Sequence, residues 1–102
     1  MALAKATLGT SITDVYTSVN DSATTSIFFT NDNATARTID VHLVASGGTA
    51  DATNRIIKGL SINGGDTYIL SAEKIVLANN DTIQAHASVT NVVYANISYV
   101  SI

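Results

Sequence analysis

The chain has 102 residues, enough for one ordinary domain and too few for a second core. Its 5 Lys and Arg stand against 8 Asp and Glu for a formal charge of −3, and the cations are scattered, so the clustered positive charge of a nucleic-acid groove is absent. There is no Cys, which excludes disulfide and thiolate chemistry and leaves stability to packing or assembly.

The first segment, "MALAKATLGTSITDVYT", has one early cation, Lys5, but no continuous apolar run of signal-peptide length. No stretch anywhere reaches the ~18 apolar residues of a membrane span. A protein made in the cytoplasm, with no membrane partner, is expected. Matches to N-x-S/T at Asn20, Asn33, Asn80 and Asn96 are what a chain this rich in Asn, Ser and Thr produces by chance. Residues 1–10 are expected to form an N-terminal arm or edge strand, with a strand near Ala4–Leu8.

Strands are then predicted at Thr13–Thr17 and Thr24–Asn31. In "RTIDVHLV", Ile39, Val41 and Leu43 share one face, and Thr38, Asp40 and His42 the other. Such period-two alternation marks a half-buried strand. Further strands are predicted at Arg55–Ile62, Thr67–Leu70 and Lys74–Leu77. Ser71–Ala78 is the one helix candidate, short and β-branched, with an extended edge segment as the alternative.

In "DTIQAHASV", Ile83, Ala85, Ala87 and Val89 alternate with Thr82, Gln84, His86 and Ser88. In "VVYANISYVSI", Val93, Ala95, Ile97 and Tyr99 alternate with Tyr94, Asn96 and Ser98. Turn residues fall between the runs about every ten residues, in "VNDSA", "NDNATA", "SGGTADATN", "NGGD" and "NND". Asn63-Gly64-Gly65-Asp66 is the sharpest, since Asn and Gly tolerate the positive φ of a tight hairpin. The fold these features predict is all-β: one antiparallel β-sandwich over residues 1–102, jelly-roll or immunoglobulin-like, of about eight strands.

The chemistry-bearing residues point to structure more than to catalysis. Asp14, Asp21, Asp32, Asp40, Asp51, Asp66, Asp81 and Glu73 could supply a carboxylate pair, but most sit at predicted turns, where Asp binds backbone amides. His42 and His86 fall on polar strand faces and are expected to be solvated or to face an interface. Two imidazoles without Cys do not complete a zinc site. "NDN" at Asn31–Asn33 lacks the spaced acidic series and terminal Glu of a calcium loop. There is no G-x-S-x-G elbow, and neither Gly pair opens a helix as a phosphate loop would. No enzyme activity, metal or cofactor is expected.

Two sets of residues are candidate subunit contacts. The first lies in the long connection "ASGGTADATN" and just after it: Gly47, Gly48, Asp51, Asn54 and Arg55. A connection of about ten residues exceeds the usual hairpin loop, and such loops are often functional. The second is Val100 and Ile102, in a terminal run from Val92 to Ile102 with no charge and no Pro. A strand that is apolar on both sides, at a chain end, is expected to take a partner on each, and "MALAKATLG" could supply one, either within its own subunit or by reaching to a neighbour.

The chain also resembles a known family. "DVYT", a strand ending in Asn31, "IDVHLVASGG" from Ile39 to Gly48, "NRI", "GDTY" and "NDTIQA" are similar in order to small virion structural proteins of tailed bacteriophages and homologous modules of phage tails and fibres. The likeness spans roughly Thr13 to Ile102. Ala45 stands where that family often has Pro, and Asn80 where it often has Gly. The resemblance implies a non-enzymatic β-sandwich in a virion. A head decoration (cement) protein is expected, contacting the major capsid protein or other virion proteins as a homo-oligomer, with a trimer favoured. A tail, baseplate or fibre component, with host-surface binding, is the alternative.

Overall fold

A computed structural model of the protein describes residues 2–71 and 74–102. Its strands are β1 (Ala2–Thr7), β2 (Thr13–Thr17), β3 (Ser22–Asn31), β4 (Arg37–Val44), β5 (Arg55–Ile62), β6 (Thr67–Leu70), β7 (Val76–Leu77), β8 (Thr82–Ala87) and β9 (Val93–Ser101). Met1, Ala72 and Glu73 lie outside the described residues, and with them the middle of the helix candidate Ser71–Ala78 and the carboxyl of Glu73. Among the described residues no helix is long and apolar enough to cross a membrane.

Two antiparallel sheets face each other. Sheet A has the order β1-β9-β3-β6, with β7 on the first residues of β3, and sheet B has the order β2-β8-β4-β5. The pairs β1–β9, β2–β8, β3–β6 and β4–β5 are successive rungs of one folded-back ribbon that passes from sheet to sheet as it winds. That winding is a jelly roll, which resolves the two sandwich types left open by the local pattern. Between the sheets, Ile27, Phe29, Val41, Ile83, Ala85, Val93, Ala95 and Ile97 are all fully buried. Each large apolar side chain so placed contributes about 1.5–3 kcal/mol.

Three strands break the period of two, each at a bulge. In β2 the register with β8 shifts between Asp14 and Tyr16, so Val15 and Tyr16 are both buried. In β3 it shifts between Thr24 and Ser26. Ser22 and Thr24 point inward before the shift, and Ile27, Phe29 and Asn31 after it. The β4–β5 register shifts twice, and the extra residues lie on β5. Gly59 sits in one of those bulges at φ +61°, a left-handed backbone that favours glycine. β8 ends at Ala87, so Val89 falls in the following bend rather than on the strand.

One expectation needs correction. Residues 63–66 do not close a hairpin. They carry the chain from β5 in sheet B to β6 in sheet A, and Gly65 takes the positive φ, +77°. Asn31 anchors this crossover: its backbone bonds Gly65 N and Asp66 O, and its buried Nδ2 donates to Ile62 O at 2.8 Å and Thr35 O at 3.0 Å. Gly64 is required because a Cβ there would run into the Ala34 carbonyl. The terminal strand β9 has the partner on each side that its two apolar faces call for, one of them β1 from the N-terminal segment. It lies between β1 and β3, which satisfy its backbone on both sides within one chain. Its lack of charge reflects that central place.

Candidate functional site

The connection 45–54 joins β4 to β5, the only sequence-adjacent strands among the described residues that pair with each other. Asn54 organises it. Its Oδ1 accepts from Asp51 N at 3.0 Å and lies 2.8 Å from His42 Nδ1, and its Nδ2 donates to Thr49 O at 2.9 Å. An amide oxygen only accepts, so His42 Nδ1 carries the proton and donates. The loop also touches the β7–β8 turn: Asp81 accepts Ser46 N on one carboxylate oxygen and Ala78 N on the other, each at 2.9 Å.

His42 is therefore not the solvated histidine that alternation predicts. By register it lies with Val44 on the outer side of sheet B, yet the two are only 4% and 2% exposed. The loop returns over them. Inside the loop, Asp51 Oδ1 accepts Thr53 N at 2.9 Å and Thr53 Oγ1 at 2.5 Å. The Thr53 hydroxyl first, then the Thr53 amide, hold the Asp51 carboxyl below the ordinary carboxylate value. Of the candidate contacts here, Gly47, Gly48 and Asp51 are exposed, while Asn54 and Arg55 are half-buried. Val100 lies near the end of β9 opposite Ala23 in sheet A, and Ile102 follows just past the strand, its N–H donating to Asp21 O. The two sets of candidates thus stand on different sheets.

Asp40 is a junction that sequence reasoning passed over. It sits opposite His86 in the β4–β8 register, with Oδ2 at 3.4 Å from His86 Nε2 and 3.8 Å from Arg55 Nη1. Its Oδ1 accepts the bulge amide of Gly59 at 2.7 Å. The short charge-assisted bond dominates, because a loose, partly exposed ion pair is worth only about 0–1 kcal/mol. A glycine in the middle of a predicted strand was the available signal for this bulge. Asp14, Asp21, Asp32 and Asp66 are exposed. Asn31 Oδ1 accepts Asn33 N at 2.9 Å, so that oxygen is engaged within "NDN". Among the described residues no group of three His, Cys, Asp or Glu is placed to hold a metal ion.

The outer faces of the two sheets differ in kind. On sheet B, Asp14, Asp40, Arg55 and His86 share the outer side. On sheet A one row runs Lys5, Asn96, Phe28, Ile69 across four strands. Leu3, Tyr94, Val76 and Val100 share that side, and Lys5 is its single charge among the described strand positions. Phe28 and Tyr94 are each 37% exposed, Ile69 51% and Leu3 80%. A shallow depression of about 410 Å³ opens there, lined by Lys5, Thr7, Tyr94 and Asn96. The β3 bulge hid this face in the sequence, because it reverses which residues of "SATTSIFFTN" point outward.

No protein-family model matches the chain, and no curated protein or solved structure does either.

Proposed function

We propose that the chain is a non-enzymatic structural protein of a tailed-bacteriophage virion, made in the host cytoplasm, that decorates the capsid through contacts with the major capsid protein. The observation that supports this reading best is the charge-poor outer face of sheet A, where Phe28 and Ile69 stand side by side with Leu3 and Tyr94 near them. Contiguous exposed apolar groups of this kind mark protein-binding surfaces. The side chains of Asp51, Thr53 and Asn54 are engaged within the 45–54 connection, which suits a scaffold. The family likeness supplies the virion context.

A second reading, a tail, baseplate or fibre component that touches the host surface, draws on the depression beside Tyr94. There an exposed aromatic ring stands near Asn96 and Lys5, which could bond a sugar. Immunogold labelling of virions separates the two. Label over heads, lost when Ile69→Asp is introduced, is the expected result; label confined to tails favours the second reading, and unlabelled virions overturn both.

A further inference from the structure

Sheets A and B have four open sides, and three are obstructed. β2 has five residues and is broken by the Val15 bulge. β5 carries two bulges together with Arg55 and Lys58. The far side of sheet A is split between β6 and β7, of four and two residues. Short strands, bulges and cations keep one sheet edge from pairing with another. β1 differs: its six residues pair with β9 in unbroken register, and its only charge is Lys5.

Its open groups can be identified. Leu8 N donates to Val93 O at 2.9 Å, continuing the β1–β9 register by one residue. Residues of an antiparallel strand bond alternately toward one neighbour and the other. Ala2, Ala4 and Ala6 therefore share the orientation of Leu8, toward β9. Leu3, Lys5 and Thr7 turn their N–H and C=O groups to the opposite side, where no described strand pairs with them.

We propose that this edge pairs with the β1 edge of a second copy of the chain, antiparallel about a two-fold axis, with Leu3 of each copy opposite Lys5 of the other. Identical antiparallel strands are self-complementary, and the other edges offer no unobstructed alternative. Among the described residues only Leu3, Lys5 and Thr7 can form the hydrogen-bonded pairs. A register centred on Lys5 gives three such pairs but sets Lys5 against Lys5, and like charges directly opposed are unfavourable. Centring on Ala4 gives two pairs and separates the cations. It also lays each lysine stem along a leucine that is 80% exposed in the single copy. The contact does not depend on the virion reading, and it yields dimers where the family likeness implies a trimer.

Pairing one short strand hides several hundred Å², below the ~1,000 Å² of a lasting interface, so the dimer is weak alone and gains from many copies held together. Sedimentation equilibrium from about 0.01 to 1 mM should show the mean mass rising from one chain toward two. Leu3→Pro removes an outward N–H and no β1–β9 bond, so the fold should persist while association falls by about tenfold or more. Lys5→Ala should tighten the contact. A monomer at every concentration, a trimer, or association that Leu3→Pro leaves unchanged overturns the proposal. Should Leu3→Pro unfold the chain, hydrogen exchange on the wild type decides. The amides of Leu3 and Lys5 should slow as concentration rises, and exchange independent of concentration rejects the contact.

Discussion

The hydroxyl of Tyr16 in sheet B donates to Ser22 Oγ in sheet A at 3.0 Å, and so begins a directed chain of hydrogen bonds between the sheets. Ser18 Oγ donates its single proton to Asn20 O at 2.7 Å. The 2.6 Å contact between Ser18 and Ser22 must then be donated by Ser22. The Tyr16 ring also packs on Tyr99, with centroids 4.5 Å apart and planes at 36°. The polar chain and the ring pair hold the same end of the sandwich.

The direction of that chain sets an order of costs. Ser22→Ala leaves the Tyr16 hydroxyl without an acceptor in a buried site and should cost about 1–3 kcal/mol. Tyr16→Phe takes away only a donor to Ser22 and should cost about 1 kcal/mol. In urea unfolding the double variant should lose less than the sum of the two. A larger loss for Tyr16→Phe than for Ser22→Ala would contradict the assigned direction.

Asn54→Ala should release the 45–54 connection. It removes three side-chain hydrogen bonds at once and leaves the buried His42 N–H without its acceptor, at a cost of about 1–3 kcal/mol. Hydrogen exchange should accelerate across residues 45–54 and at His42 and Val44, while β3 and β9 stay protected. Uniform acceleration across both sheets would contradict a local role.

Acid should loosen the same loop at Asp51. Its carboxyl is held below its ordinary value by Thr53 in the folded chain. The stabilisation is therefore present above the unfolded carboxylate value and is lost as pH falls through the lower, folded one, below about pH 4. The amide and hydroxyl resonances of Thr53 should titrate together in that window. Asp51→Asn should abolish their titration, and a titration that survives it would point to another group.

Gly59→Ala should cost about 1–2 kcal/mol, since it places a Cβ on a left-handed backbone at φ +61°. Asp40→Ala should be felt at the same point, because it removes the acceptor of Gly59 N. If the two act through one bulge, their thermal-unfolding effects will be less than additive; independent effects would separate them.

Local pattern reached much of this architecture. Thr13–Thr17, Arg55–Ile62 and Thr67–Leu70 are strands with the bounds their turn residues imply. β8 keeps a strict alternation that needs no tertiary knowledge. What stayed hidden depends on partners distant in sequence. Alternation in one strand cannot show where an extra residue enters against its neighbour, so Val15 and Thr25 were unreadable. His42 looks solvated until a returning loop covers it, and Asn54 looks like any turn residue until its amide is seen bonding three ways. The uncharged run Val92–Ile102 fits an open edge and a central strand equally well, and only the pairing of β9 with both β1 and β3 decides between them.

That central position has a kinetic consequence. Ala2 pairs with Tyr99, nearly the full length of the chain away, and β3 finds most of its partners in the same last strand. Sheet A therefore cannot close while residues 93–101 are still unmade, and β1 has no neighbour to pair with until they arrive. Contacts this distant in sequence carry a large loop-closure cost before they return any stability, which places folding in the range of roughly milliseconds to seconds. During that interval the unpaired β1 segment and the apolar side of β3 are exposed together, so crowding on the ribosome bears on this chain more heavily than its small size suggests.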